Sequence, residues 1–238
     1  MTNAWDKAAA IRKEQIESGL DITFCDIFIP YYLKLIKREA PTTFLEVGCG
    51  TGHLLKEIVS ESIDCKAVEP SPKMYEIAKE HLKDQTVNIS CCKIEDFNSL
   101  EQYDLILSHL CAQAVTDLGG WLNSISQLLA PQGTFVFAIP HPCFYNDYKK
   151  LIPSSKYSYM HEIDATISLS ITLDSKNTID GVPYKHRPLN CYINILRKNG
   201  FCLIGLDEIY PSPEVQAKYG ATWDYPRYLV FHARLLED

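Results

Sequence analysis

Several things are scarce or missing in this 238-residue chain, and each absence removes a class of function. It has no run of lysine and arginine interleaved with aromatics, and its formal net charge is −7. Both facts argue against a nucleic-acid partner. No apolar run is long enough to cross a bilayer, so no membrane partner is expected. The opening Met1-Thr2-Asn3-Ala4-Trp5-Asp6 lacks the basic-then-apolar order of a signal peptide, so a cytoplasmic location is expected. The nine cysteines form no C-x-x-C pair and sit mostly in apolar segments such as Phe24-Cys25 and Phe201-Cys202. They read as reduced, buried small hydrophobes, and no ligand spacing supports a metal. Internal repeats and low-complexity tracts are absent too.

What is present is concentrated in Phe44-Leu45-Glu46-Val47-Gly48-Cys49-Gly50-Thr51-Gly52-His53. A short apolar strand ends in an acid, three glycines follow at every second position, and the amphipathic run Leu54-Leu55-Lys56-Glu57-Ile58-Val59 begins. Glycines so placed let the backbone turn sharply and approach a ligand closely. The loop then feeds a helix N-terminus, whose free N–H groups attract electron-rich ligand atoms. A nucleoside-containing ligand is expected over the end of this first strand. A phosphate-cradling P-loop needs Gly-Lys-Ser/Thr, and Gly52 is followed by His53-Leu54. A dinucleotide fingerprint needs glycine at position 53, which is His, so a nicotinamide-dependent oxidoreductase is weakened without being excluded.

The remaining pattern, acid-x-Gly-x-Gly-x-Gly from Glu46 to Gly52, resembles the first motif of the class I S-adenosylmethionine-dependent methyltransferases, in their small-molecule branch. The resemblance implies a Rossmann-like, doubly wound α/β fold. Its sheet would be mostly parallel and seven-stranded, with the last strand antiparallel. The cofactor would be S-adenosyl-L-methionine, leaving S-adenosyl-L-homocysteine. Gly48, Gly50 and Gly52 would then pass under the methionine part, Glu46 would help hold the ammonium, and Cys49 and His53 would be cofactor neighbours.

Further matches follow along the chain. Cys65-Lys66-Ala67-Val68-Glu69 reads as a second strand ending in an acid, roughly 20 residues past the loop, where a carboxylate can accept from ribose hydroxyls. Glu69 carries that role, with Pro70 and Met74 beside it. Ile89 to Phe97 resembles the third strand's end, with Lys93 departing from the family's usual Asp. Ile94 and Glu95 are left to meet adenine. After the strand Tyr103 to Ser108, the residues Ser108, His109, Leu110 and Gln113 would wall the transferable methyl. Leu128-Leu129-Ala130-Pro131-Gln132-Gly133-Thr134 resembles the family's helix–turn–strand before strand five. Trp5 could face the sulfonium by cation–π attraction or simply pack on the core.

In-line displacement from a sulfonium needs mostly positioning, and a base only for a neutral hydroxyl or protonated amine. Histidine is the natural base near neutral pH. His141, at the end of strand five, is the first candidate, followed by His109 and His186. His81, His161 and His232 read as ordinary surface or sheet residues. Pro142-Cys143 lies after strand five and not after strand four, which argues against the covalent Pro-Cys chemistry of cytosine C5 methyltransferases. The Asn/Asp-Pro-Pro-Tyr/Phe signature of amino-group DNA methyltransferases is absent after Ser108.

The organisation expected is a single domain. Residues 1–40 form a helical cap, with one helix from Ala4 to Ser18 and a second run from Ile22 to Ile36 interrupted at Pro30. Residues 41–139 and 189–238 form the sheet core, where alternating strands and helices predict right-handed crossovers and a parallel sheet. Residues 140–188 interrupt it. There Thr166 to Leu173 alternates strictly, and Asp174-Ser175-Lys176-Asn177 signals a turn, so a β-hairpin lid after strand five is expected. Tyrosines 145, 148, 157, 159 and 184 fall in or near this lid. Its apolar face leaves a homodimer open beside a monomer.

The reading is methyl transfer to oxygen, nitrogen or carbon of a small, partly apolar molecule. The alternatives are a catalytically inactive S-adenosylmethionine-binding partner or sensor, and the NAD-dependent oxidoreductase.

Overall fold

The computed structural model describes residues 4–60 and 62–236. The chain begins with α1 (Ala4–Glu17). A π-helical turn, Thr23–Phe28, runs directly into α2 (Ile29–Glu39). Pro30 does not interrupt this run as expected, because it occupies the first turn of α2, where a missing N–H costs little. The left-handed residue Ala40 (φ 45°) ends α2.

Strands and helices then alternate. β1 is Thr43–Val47, α3 His53–Ile58, β2 Asp64–Val68 and α4 Pro72–His81. β3 is Val87–Ser90, β4 Tyr103–His109, α5 Leu118–Leu128 and β5 Leu129–Pro140. A short α6 (Tyr145–Lys149) precedes the hairpin strands β6 (Ile163–Ile171) and β7 (Asp174–His186). α7 (Leu189–Lys198), β8 (Phe201–Ile209), α8 (Pro213–Lys218) and β9 (Tyr228–Leu235) complete the fold.

The seven-stranded sheet has the order β3-β2-β1-β4-β5-β9-β8, and β6-β7 form a separate pair. β9 is antiparallel to both β5 and β8, while the β1–β5 pairings are all parallel. Strand order therefore reverses between β1 and β4, the crevice where open α/β sheets bind ligands. The central strands are nearly continuous apolar runs because both faces are covered. On one face Trp121, Leu122 and Ile125 of α5 and Tyr192 and Leu196 of α7 pack on Leu45, Ile106 and Phe137. On the other, Phe28, Tyr32 and Leu54 cover Phe44, Leu105 and Val136. A third cluster joins Trp5, Ala8 and Ala9 of α1 to Met74 of α4 and to Ile167, Ile179 and Val182 of the hairpin.

Two boundaries differ from the sequence reading. The hairpin turn falls at residues 172–173, and Asp174 already begins β7, paired with Ile171. The chain reverses earlier than the Asp-Ser-Lys-Asn signal because Asp174 is drawn to α1, where its carboxylate accepts from Gln15 Nε2 at 2.9 Å. The turn expected ahead of strand five is an excursion within β5, between Leu129 (opposite Tyr103) and Thr134 (opposite Leu105). A Cβ at Gly133 would lie 2.8 Å from the Ala130 carbonyl and 2.9 Å from that of Tyr103, so the excursion closes only over glycine.

Candidate functional site

The loop after β1 owes its shape to three glycines in the left-handed region, Gly48 (φ 79°), Gly50 (φ 57°) and Gly52 (φ 79°). Two of them carry a packing demand as well. A Cβ on Gly48 would sit 2.4 Å from Cys111 Sγ, and one on Gly52 would meet Ala78 and Leu82 of the α4 region at about 3 Å. Gly50 has open space around its missing side chain. Cys111 thus lies across the loop from the segment after β4, and no sequence signal singles it out. Burial pushes its thiol up to about 12, so it remains protonated.

Two carboxylates meet this loop in different ways. Glu69, at the end of β2, accepts from Gly50 N–H and from Ser71 N–H, each at 2.8 Å, one bond per oxygen. Burial raises its pKa, and those two backbone donors oppose the rise. Glu46 is 2 % exposed on β1, and its Oε2 has no hydrogen-bond partner among the described residues. Burial, helped by the nearby Glu69 charge, pushes its pKa to about 8. A buried acceptor without a donor is costly in a folded protein.

A second partnerless acceptor lies on the other side of the crevice. After β4, Leu110 adopts a left-handed conformation (φ 52°) and a 3-10 turn spans Ala112–Ala114. Gln113 Nε2 bonds back to the Leu110 carbonyl, which leaves its buried Oε1 unpaired. Ser108 Oγ donates to the Val47 carbonyl at 2.8 Å and ties the ends of β1 and β4 together.

His53 opens α3. Its Nδ1 lies 2.8 Å from Thr51 Oγ1, its ring is 4.2 Å from that of His81, and its Nε2 is 3.6 Å from Glu17 of α1. Burial, with His81 beside it, lowers its pKa to about 4. His81 is therefore part of a cluster beneath the loop and not an ordinary surface residue. Ile94 is buried at the start of the 3-10 turn Ile94–Asp96, whereas Glu95 and Pro70 are exposed and Cys49 is buried. Trp5 and Met74 share the third apolar cluster, with Trp5 only partly buried. α1 is held over the end of β2 by Asp6, which accepts from Ser71 Oγ at 2.6 Å.

The three histidines proposed as bases do not converge. His141 Nε2 lies 3.1 Å from Glu208, and its Nδ1 accepts from Cys143 N–H at 3.2 Å, so both nitrogens are engaged. His186, at the base of the hairpin, points Nε2 at the Tyr159 carbonyl at 3.0 Å. Burial lowers the pKa of each. His109 ends β4, enclosed by Phe24, Phe28 and Tyr32, with Tyr32 Oη 3.0 Å from Nδ1 and no partner on Nε2 among the described residues. Desolvation takes its pKa down to about 3, so the ring is neutral across the physiological range.

Residues 45–135 match the family described as "Methyltransferase domain". A malonyl-[acyl-carrier protein] O-methyltransferase of Acetivibrio thermocellus is 29% identical over 136 residues, which is 56% of this chain and 44% of that protein. The chain spans less than half the length of this relative and of a second malonyl-[acyl-carrier protein] O-methyltransferase, from Anoxybacillus flavithermus, that is 37% identical over 100 residues. Among solved structures, an S-adenosylmethionine-dependent methyltransferase of Clostridium acetobutylicum superposes with a TM-score of 0.65, covering 98% of this chain and 99% of that one at 15% identity. The 1,6-didemethyltoxoflavin-N1-methyltransferase of Burkholderia thailandensis gives 0.59 at 17% identity, over 100% and 92%. The seven-stranded sheet with its final antiparallel strand is the fold of the S-adenosylmethionine-dependent methyltransferase on which the chain superposes.

Proposed function

We propose that the chain transfers a methyl group from S-adenosylmethionine to a small, partly apolar acceptor. The observation that carries this reading is the pair of buried acceptors without donors, Glu46 Oε2 and Gln113 Oε1, on the two sides of a glycine loop open at Gly50. A ligand with a multi-donor cation satisfies both, and the amino-acid end of S-adenosylmethionine is such a group. A phosphate would meet Glu46 and Glu69 and be repelled, which disfavours a dinucleotide here.

When bound, the cofactor supplies an electrophilic sulfonium methyl. This chain's residues do the rest. Glu46 and Gln113 would hold the ammonium. Glu69 keeps a lone pair on each oxygen for ribose hydroxyls while its backbone bonds fix the loop. Ile94 would line the adenine side, with Glu95 and the backbone as polar neighbours. His109 is neutral, and its Nε2 can orient the acceptor by a hydrogen bond: it accepts when Nδ1–H donates to Tyr32 Oη, and donates when Tyr32 O–H donates to Nδ1. With so low a pKa it is a weak base. The arrangement suits an acceptor that already has a lone pair at neutral pH, where alignment supplies most of the rate. The acceptor atom follows from no motif: one relative is named for O-methylation and one neighbour for N-methylation.

The test is calorimetric. S-adenosylmethionine and S-adenosylhomocysteine should each bind near one-to-one and bind much more weakly to Glu46→Gln. Folded protein that binds neither, or binds NAD in their place, would overturn the reading. Transfer of a labelled methyl to an acceptor panel then separates an enzyme from an inactive binding protein.

A further inference from the structure

Arg227 is the residue immediately before β9. Its carbonyl accepts from His141 N–H at 2.9 Å, and its neighbour Tyr228 is paired with Pro140, so Arg227 is pinned at the end of β5. The side chain is 8 % exposed. Its guanidinium carbon lies 3.6 Å from the centroid of the Tyr148 ring and 3.3 Å from that of Trp223. The two aromatic rings cover the guanidinium with cation–π contacts. They provide no acceptor for the N–H groups, which lie in the guanidinium plane.

For Nε that requirement is unmet. It is buried with no hydrogen-bond partner among the described residues, and no carboxylate among them forms an ion pair with Arg227. Asp21, at the start of the π-helical segment, is already taken by Arg12 and by Phe24 N–H. The other deeply buried arginine shows what a structural role looks like. Arg187 donates to the carbonyls of Ala112, Val115 and Thr116 and lies 3.6 Å from Glu162. A largely buried cation with no acid beside it is expensive and is rarely retained without a partner.

Beside the guanidinium is a cavity of about 10 Å³ bounded by Thr23, Ile27, Ile209 and Tyr228. It holds roughly one water, so an occupant of any size enters by displacing Tyr148 or Trp223. Its walls are mostly apolar. Tyr228 packs on Phe28 at 5.3 Å, and Phe28 on His109 at 4.4 Å, which connects the cavity to the end of β4 by ring contacts.

We propose that Arg227 anchors a carboxylate of the methyl acceptor, whose apolar body lies towards Phe28 and His109. This rests on the methyltransferase reading, which places methyl transfer at the end of β4. The planar fork of the guanidinium edge matches a carboxylate in two parallel hydrogen bonds. Whichever of the Tyr148 and Trp223 rings stays against the guanidinium fixes its plane, and with it the plane in which that carboxylate approaches.

The test uses the whole chain, with benzoate as probe and benzamide as its uncharged isostere. Binding is read by the emission of Trp223, assigned by its loss in Trp223→Phe. Benzoate should bind about tenfold or more tightly than benzamide, as a charge-assisted bond requires. Arg227→Met, which keeps the apolar stem, should abolish that preference and leave S-adenosylhomocysteine binding intact. A second readout needs no variant: the Nε–H resonance of Arg227 in the wild-type protein should shift with benzoate and stay fixed with benzamide. Equal binding of the two probes, no binding of benzoate, or a preference that survives Arg227→Met overturns the proposal while S-adenosylhomocysteine still binds. Failure of S-adenosylhomocysteine to bind, with the benzoate preference intact, overturns the acceptor assignment through the parent reading.

Discussion

Replacing Glu46 by Gln should make the ligand-free protein more stable and the cofactor complex weaker, and both effects should depend on pH. Glu46 is buried and one of its oxygens has no partner. Its pKa stands at about 8 in the fold against 4.5 for an unburied glutamate. Between those values the folded chain holds one more proton than the unfolded chain. Stability is therefore undiminished below pH 4.5, falls as pH rises, and levels off above 8. At pH 7 the accumulated cost is about 3 kcal/mol, at 1.36 kcal/mol per unit. Gln never ionises, so it removes that cost, less whatever its own amide loses by lacking an acceptor. Thermal melts at pH 4.5 and pH 7 should show a gain only at the higher pH, roughly 2–4 °C per kcal/mol for a chain this size. Cofactor binding should reverse the sign. An ammonium needs the carboxylate ionised, so affinity of the wild type for S-adenosylhomocysteine should rise close to tenfold from pH 6 to pH 7, with proton uptake by buffer. The variant should lose that slope. A stability gain equal at both pH values, or an unchanged binding profile, would refute the reasoning.

Gly48→Ala should destabilise the chain by roughly 2–3 kcal/mol in urea melts, from left-handed strain together with the clash. The clash is with Cys111 Sγ, 2.4 Å from the new Cβ, so adding Cys111→Ala should restore part of the loss and no more. The depressed pKa of His109 means that the unfolded chain takes a proton below about pH 6.5 that the folded chain refuses until about pH 3. Stability should therefore fall as pH drops through that window, and His109→Gln should flatten the fall. Gln15→Ala removes the bond to Asp174 between α1 and the hairpin. Amide exchange in β6 and β7 should quicken while β4 and β5 stay protected; equal exchange in both would show that the bond does not hold the hairpin.

Much of the fold was legible because its signals are local. Phe44 to Val47, Cys65 to Val68 and Tyr103 to Ser108 are apolar runs bounded by turn residues, and such runs form buried parallel strands whatever packs against them. The excursion in β5 and the early reversal of the hairpin were not legible, because each answers to a residue far away in sequence, Tyr103 in one case and Gln15 in the other. The histidines show the same limit. Position along the chain ranks His141 ahead of His109 and His186, but only their neighbours show what each can do: Glu208 and Cys143 for the first, Phe24, Phe28 and Tyr32 for the second, Tyr159 for the third.

The sequence alone determined where the backbone must turn. Left-handed dihedrals at Gly48, Gly50 and Gly52 are a property of residues without a Cβ, and the strand before them and the helix after them follow from apolar periodicity. Tertiary structure decided the electrostatics. Glu46 holds its proton to about pH 8 because packing removes its water and supplies no donor. Arg227 is left without an acid because residues 148 and 223 close over it. Desolvation depends on everything that surrounds a group, and what surrounds it is drawn from the whole chain.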